Sequence, residues 1–407
     1  MNGSDKLRQF ALKYCHKTIV KISDRIIYFG NYGPSSAAAV IGDTSVILID
    51  TLRSRRLATM LREDLKQFTD KPVRTVIYTS SIKEMTGGSC VFEDVDQVYG
   101  AVGQHAGLKY LDKVEDIKQM RKIWTRGYGL SDKLIVPGKD NGQEQYDMLS
   151  ACCAHPLEVT TYVEKDMDLV IDGVHLKLMP APSETFDSLL VWLPEEETVC
   201  TGVVFYGAFP NLDVTTGSAY FNVGEWIDSL KRVRSCNARV ILPGMTLPVE
   251  GREVIREMLD TEIDCFQYLV DTALNMINDG LTIEEMLAQF SLPDRFKVWY
   301  LTPFYGRPEW MLRCLYDRYM GWFDGLAAHL SPVPESEYKG VLRELIGDEA
   351  LKAKICELMD QEKYQLALQL CELGDFRDLK KQALGLLAES SDNLNERYYF
   401  YSRYQDL

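Results

Sequence analysis

Residues 72–88 read Pro-Val-Arg-Thr-Val-Ile-Tyr-Thr-Ser-Ser-Ile-Lys-Glu-Met-Thr-Gly-Gly. The β-branched first half predicts a strand over residues 73–79, and the second half predicts a loop that ends at Gly87 and Gly88. Upstream, another predicted strand ends at Ile49-Asp50. These two strand ends are the most informative part of the chain, because functional side chains concentrate in loops that a rigid sheet positions.

The residues around this stretch predict a β-rich α/β fold. Hairpins are expected around the turns Ser23-Asp24 and Gly42-Asp43, and residues 57–68 carry apolar side chains at helical spacing. A second helix is predicted at residues 223–233. Further strands are predicted at residues 97–100, 134–136, 168–171, 175–179, 189–193, 199–204 and 238–242.

The second half of the chain changes to helices. A long helix is predicted over residues 252–278, Gly280 suits a helix end, and residues 282–285 form a capping-box pattern. Helices at residues 349–359, 364–372 and 376–387 resemble a single tetratricopeptide-type stack. We therefore predict an α/β domain over residues 1–279, with 252–278 as its connecting helix, and an all-α domain over residues 280–407.

The composition argues against several classes of protein. With 45 Lys and Arg against 60 Asp and Glu, the formal net charge of −15 disfavours binding to nucleic acid or to an anionic membrane. No apolar run reaches the roughly 18 residues of a membrane span, and we expect no signal peptide. The 10 cysteines lack C-x-x-C spacing, so reduced thiols and a cytoplasmic location are expected.

These motifs resemble the metallo-β-lactamase superfamily, and more closely the alkylsulfatases of the dodecyl-sulfate hydrolase type. The shared runs, besides those around Asp50 and Gly87-Gly88, are Met120-Arg121, Tyr128-Gly129, Asn211-Leu212, Gly217, Pro293, Tyr305-Gly306 and Gly321-Trp322-Phe323-Asp324-Gly325. The resemblance implies an α/β metallo-β-lactamase-like αββα sandwich, followed by an all-α alkylsulfatase-type dimerisation domain. It also implies a homodimer formed through the C-terminal helical domain.

The resembled family binds two zinc ions through histidines, an aspartate and glutamates. At the seven matching positions, only Glu84 and Glu184 carry a carboxylate, and none carries an imidazole. The other five are Ser80, Ile82, Met85, Val203 and Met245. Because zinc requires a compact set of imidazole, thiolate or carboxylate ligands, we expect no zinc and no other cofactor. A weak Mg²⁺ or Ca²⁺ site completed by backbone oxygens stays open as an alternative.

The positions that the family uses on the sulfate ester also differ. Thr216 stands in place of a sulfate-binding arginine, and Trp310 in place of the histidine that protonates the leaving oxygen. Tyr128 and Asn211 are retained at pocket positions. We expect the family's lipid-binding third domain to be absent, because the chain ends at Leu407.

The remaining polar residues have competing interpretations. His105 either joins a carboxylate in a new site or, more simply, is a hydrogen-bonded histidine at a loop start. Glu84 is either a general base or, more simply, a surface carboxylate. Glu184 and Asp187 either face one cavity or lie in a hydrated or arginine-paired loop.

Several apolar features are equally open. Cys90 and Cys200 are better explained as buried small side chains than as nucleophiles. The aromatic residues between 299 and 323 either line a cavity or form the core between the domains. Met85, Met245 and Trp310 either leave the former pocket open or fill it.

Two classes of function follow from the sequence. The favoured hypothesis is a metal-free pseudoenzyme, a homodimer that binds a small anionic or amphiphilic ligand or a protein partner. The alternative is a hydrolase of sulfate or other esters with a non-standard or single-metal site, using the residues Glu84, Glu184, His105, Tyr128 and Asn211. Zinc lowers the pKa of bound water to near 7, so the lack of imidazole ligands favours the first hypothesis.

Overall fold

Two β-sheets form the first part of the chain in the computed structural model, which describes residues 2–102, 121, 155–212 and 222–407. The first sheet has the strand order β1-β2-β3-β4-β5-β6-β7. Its strands are β1 (Thr18–Lys21), β2 (Ile26–Tyr32), β3 (Ser35–Ile41), β4 (Val46–Ile49), β5 (Val73–Ile77), β6 (Gln97–Ala101) and β7 (Thr161–Val163). The pairs from β1 to β4 are antiparallel, and those from β4 to β7 are parallel.

The second sheet has the order β13-β12-β11-β10-β9-β8. Its strands are β8 (Met167–Ile171), β9 (Val174–Pro180), β10 (Leu189–Leu193), β11 (Thr198–Gly202), β12 (Val240–Pro243) and β13 (Val249–Glu250). Only the β11–β12 pair is parallel. Most of the strands predicted from the sequence are therefore present, and the predicted strand at residues 134–136 lies outside the described residues.

The helices in the described residues number thirteen. They are α1 (Gly3–Tyr14), α2 (Arg55–Leu65), α3 (Lys83–Thr86), α4 (Val223–Ser235), α5 (Arg252–Asn278), α6 (Ile283–Gln289), α7 (Pro308–Met320), α8 (Ala327–Leu330), α9 (Glu335–Ile346), α10 (Asp348–Asp360), α11 (Tyr364–Cys371), α12 (Arg377–Ser390) and α13 (Leu394–Gln405). Among these described segments, no helix combines the length and apolar character that crossing a bilayer requires.

Three apolar cores lie between the layers of sheets and helices in the first part of the chain. One lies between the sheets and includes Ile47 and Ile77 from the first sheet and Leu178 and Val191 from the second. A second core packs α2 on the outer face of the first sheet. The third packs α4 and α5 on the outer face of the second sheet. Helices thus cover both outer faces, and the predicted αββα sandwich is confirmed.

The helical part begins as its sequence predicts. The hydroxyl of Thr282 accepts a hydrogen bond from the amide of Glu285, and the Glu285 carboxylate accepts one from the Thr282 amide, which is a complete capping box. The helices α10, α11 and α12 pack around a small core of their own. The C-terminal helix α13 packs on α12, and its residue Tyr398 is buried in the main core.

Candidate functional site

The candidate site lies where the carboxyl ends of several strands meet. Asp50 follows β4, Ser80 follows β5, and Val203 and Met245 follow β11 and β12. The loop between β9 and β10 carries Glu184 and further polar residues to the same region, because Ser80 and that loop are hydrogen-bonded. The candidate side chains therefore lie near the end of the strand and in the loop that were predicted from residues 72–88.

Ser80, which the sequence comparison matches to a zinc-ligand position, belongs to a chain of hydroxyl groups. The Ser80 hydroxyl lies 2.9 Å from that of Thr185, which lies 2.9 Å from that of Ser188. The Ser183 hydroxyl donates to Ser188 Oγ at 2.9 Å. Because these hydroxyls bond to one another, Ser80 is already engaged inside the protein.

Asp187 closes the other end of this chain. Its carboxylate accepts a 2.8 Å hydrogen bond from the Ser81 amide and a longer one, 3.4 Å, from the Ser80 hydroxyl. The residue is 6% exposed. Asp187 thus fixes the start of the loop that follows β5, since one carboxylate binds both its backbone and its side chain.

Glu84 is buried, so its interpretation as a surface carboxylate is wrong. It lies in the one-turn helix α3, and its Oε1 is 2.5 Å from Nη1 of Arg53. The two side chains are 4% and 5% exposed. A buried carboxylate requires such a partner because desolvation of an isolated charge is very costly.

Apolar side chains stand at four other positions that the sequence comparison matches to zinc ligands. Met85 and Val203 are fully buried, and both belong to the main core. Ile82 and Met245 are half-buried and pack against that core. A Cβ atom placed on Gly244 would lie 2.8 Å from Met85 Cε, so the methionine fills the space beside this backbone.

Glu184 and Asn211 form a second polar group, together with the C-terminal helix. Asn211 Nδ2 donates to Glu184 Oε1 at 3.1 Å, and Asn395 Nδ2 of α13 donates to Asn211 Oδ1 at 3.2 Å. The backbone amide of Asn211 also donates a hydrogen bond to the hydroxyl of Tyr206. Burial, with a smaller effect of the Glu184 charge, raises the pKa of Tyr206 well above its usual value.

The two acidic residues of the β9–β10 loop therefore have separate partners. Asp187 binds the loop after β5, whereas Glu184 binds Asn211. Among residues 2–102, 121, 155–212 and 222–407, three or more His, Cys, Asp or Glu side chains nowhere converge as a metal site would require. Trp310 lies on α7 and packs half-buried against the main core.

Three predicted site residues lie outside the described residues, namely His105, Tyr128 and Thr216. Two residues that the sequence did not single out belong to the site, Arg53 and Asn395. Arg53 sits three residues after Asp50, so its position near a strand end was a usable signal. Asn395 had no such signal, because it reaches the site from the far end of the chain.

The cysteines differ in part from the expectation. Cys200 is a buried free thiol, as predicted, and burial is the main cause that raises its pKa. Cys90 is half-buried and disulfide-bonded, so the expectation of ten reduced thiols is wrong at this residue.

Comparison with known proteins connects this fold to one family. Residues 282–407 match the family model described as alkyl sulfatase dimerisation. A linear primary-alkylsulfatase of a Pseudomonas strain is 26% identical over 376 residues, covering 87% of this chain and 70% of that protein. An (R)-specific secondary-alkylsulfatase of Pseudomonas is 26% identical over 378 residues, covering 89% of this chain and 57% of that protein.

A solved structure adds the fold. The stereoselective inverting sec-alkylsulfatase of Pseudomonas superposes with a TM-score of 0.83 at 22% identity, covering 96% of this chain and 65% of that one. The chain has the alkylsulfatase-type fold of the metallo-β-lactamase superfamily. This alkylsulfatase-like chain spans less than two thirds of that solved structure and of the secondary-alkylsulfatase.

Proposed function

We propose that this alkylsulfatase-like protein does not hydrolyse sulfate esters and does not hold a binuclear zinc site. One observation carries the proposal. Five of the seven positions that match the zinc ligands hold a hydroxyl or an apolar side chain, with Ser80 in a hydroxyl chain and Met85 and Val203 buried in the core.

The residues present do not fit two zinc ions. Zinc at neutral pH takes imidazole, thiolate or carboxylate donors at about 2.0–2.3 Å. Of the two remaining carboxylates, Glu84 is bound by Arg53, and Glu184 is bound by Asn211. A metal ion would therefore have to displace a buried ion pair to use Glu84.

We further propose that the protein acts by binding, as a homodimer formed through its helical domain. Its ligand would be a small anionic or amphiphilic molecule or a protein partner. Asn211 and Asp187 supply polar groups at the same edge of the sandwich, and Tyr305 supplies an aromatic ring 6.0 Å from that of Tyr206. Pockets that bind amphiphiles combine such apolar walls with a few polar groups.

The decisive experiment measures metal content and hydrolysis on the same preparation. The purified chain is incubated with excess zinc, desalted and analysed by plasma mass spectrometry, and it is then assayed with dodecyl sulfate and with 4-nitrophenyl sulfate. We expect zinc far below one ion per chain and no hydrolysis above the buffer rate. Stoichiometric zinc with turnover would overturn the proposal and favour the hydrolase alternative.

A variant separates real turnover from a contaminating sulfatase. Glu184→Gln changes a carboxylate at a former ligand position while retaining an oxygen that accepts from Asn211. Any hydrolysis that belongs to this protein through Glu184 falls in the variant, whereas contaminant activity does not. Ligand binding is tested separately by thermal shift with decyl sulfate, decanoate and decyltrimethylammonium, with decanol as the uncharged control.

A further inference from the structure

Arg53 and Glu84 form a buried ion pair between the two loops that lead away from β4 and β5. Arg53 directly precedes Ser54, the N-cap of α2, in the chain, and Glu84 lies in the first turn of α3. The contact between Nη1 and Oε1 is 2.5 Å, and both side chains are at least nineteen-twentieths buried. The pair is therefore shielded from water and from salt.

Backbone hydrogen bonds hold the same two loops together around the pair. The Thr51 amide donates to the Met85 carbonyl at 2.7 Å, and the Gly88 amide donates to the Leu52 carbonyl at 2.8 Å. The Ser35 hydroxyl donates to the Glu84 carbonyl at 2.7 Å. Three hydrogen bonds thus hold the loop contact in which the ion pair lies. Because the loops are already fixed, less conformational entropy is lost when the two charged side chains pair.

The two glycines of the loop permit this close approach. A Cβ atom on Gly87 would lie 1.9 Å from the Arg53 carbonyl oxygen, and one on Gly88 would lie 2.4 Å from that of Thr51. No side chain tolerates such distances. In this chain the Gly-Gly pair therefore serves the contact between the Arg53 loop and the Glu84 loop.

We propose that the Arg53 guanidinium is a built-in cation that neutralises Glu84 and positions the loop after β5 without a metal ion. This inference deepens the proposed function, because it names the group that compensates a carboxylate retained at a former ligand position. A guanidinium satisfies a carboxylate with charge-assisted hydrogen bonds. Arg53 is a positioning residue in this role, since it acts through Glu84 and the loop.

A thermodynamic cycle on the full chain tests the assignment. Arg53→Met leaves a buried carboxylate without this partner and should lower Tm by about 10 °C, whereas Arg53→Met combined with Glu84→Met should recover most of that loss. Arg53→Lys should retain part of the stability, because the charge remains. Arg74→Met removes one side of the exposed Arg74–Asp96 pair and serves as the matched control with little change.

Chemical rescue distinguishes a cation from a merely bulky side chain. Arg53→Ala should regain stability in millimolar methylguanidinium and not in equimolar methylurea, which has nearly the same shape without the charge. Equal losses for Arg53→Met and for the double variant, or equal rescue by both solutes, would overturn the assignment. Metal analysis of the wild-type protein is independent of this cycle: zinc there would refute the proposed function, while the cycle and the rescue still decide the role of Arg53.

Discussion

The carboxylate of Asp50 accepts two hydrogen bonds from a single residue, Thr79. The Thr79 amide donates to Oδ1 at 2.8 Å, and the Thr79 hydroxyl donates to Oδ2 at 2.6 Å. Asp50 is 3% exposed and adopts a left-handed backbone conformation with φ of 61°. Burial raises the pKa of Asp50 to about 7, although the two bonds from Thr79 act in the opposite direction.

This raised pKa predicts a pH-dependent stability. The ordinary pKa of an aspartate is 3.8 and that of Asp50 is about 7, so the folded state binds more protons than the unfolded state between these values. Protonation of Asp50 makes its full contribution to the stability of the fold below about pH 4. This contribution is lost as the pH rises through 7. A pKa shift of this size corresponds to a loss of about 4 kcal/mol in the free energy of unfolding.

Asp50→Asn isolates this contribution. An asparagine keeps an acceptor for the Thr79 amide and a donor for its hydroxyl, but it does not ionise. Urea unfolding at pH 5 and pH 8 should show the stability of the variant rising relative to wild type at the higher pH. Asp70→Asn, at an exposed position, is the control, and an unchanged difference between the two pH values would contradict the prediction.

Replacement of the buried carboxyl group of Glu262 is expected to stabilise the protein. Glu262 lies on α5 and is 3% exposed, and none of the residues that the structure describes forms a hydrogen bond with its Oε2. Burial raises the pKa of Glu262 well above 4.5. Glu262→Leu removes a desolvated polar group, so we expect a gain of about 1–3 kcal/mol in the free energy of unfolding, larger at pH 8 than at pH 5.

The gain at Glu262 is checked by differential scanning calorimetry at both pH values. Glu257→Leu changes an exposed residue of the same helix and should have little effect. A loss of stability in Glu262→Leu, equal at both pH values, would show that the carboxyl group makes a bond that the fold requires.

The sequence predicts those helices, strands and turns well that depend only on neighbouring residues. The turn Gly42-Asp43 separates β3 and β4 as expected, and the predicted helix over residues 252–278 matches α5 at both ends. Gly280 has a φ of 79°, which explains why the helix stops shortly before it. Such features depend on a few neighbouring residues, so they can be recognised in a single sequence.

The site was only partly predictable, because its contacts join distant parts of the chain. The residue types at Met85 and Val203 follow from the motif comparison, and their burial agrees with their apolar character. The pairing of Arg53 with Glu84 spans 31 positions, and that of Asn395 with Asn211 spans 184. These contacts exist only once the strands and α13 have been placed, which periodicity and spacing do not specify.

The burial of Met85 predicts a loss of stability when its side chain is shortened. Its side chain is fully buried in the main core, so Met85→Ala should lower the free energy of unfolding by about 2–5 kcal/mol through the cavity it leaves. Leu12→Ala, at a residue of α1 that is 52% exposed, is the control for chemical denaturation. A loss no larger than in the control would mean that the former pocket is open around Met85.

An apolar surface on the helical part leads to the last prediction. Helices α8 and α9 contain no buried residue within the chain, yet large apolar side chains are exposed along this segment. We define the 319–346 surface by Tyr319, Met320, Trp322, Leu326, Leu330, Val333, Tyr338, Val341, Leu345 and Ile346. A run of exposed apolar groups of this size indicates an interface.

The occupant that we predict for the 319–346 surface is a second copy of the chain, because the surface lies within the residues that match the dimerisation model. Leu345, which is 78% exposed, should be central, so Leu345→Lys should shift the protein from dimer to monomer in analytical ultracentrifugation. Leu366→Lys places the same charge at an exposed leucine of α11 outside this surface and should leave the dimer intact. Equal weakening by both substitutions, or an undiminished dimer in Leu345→Lys with Val341→Lys, would place the interface elsewhere on the molecule.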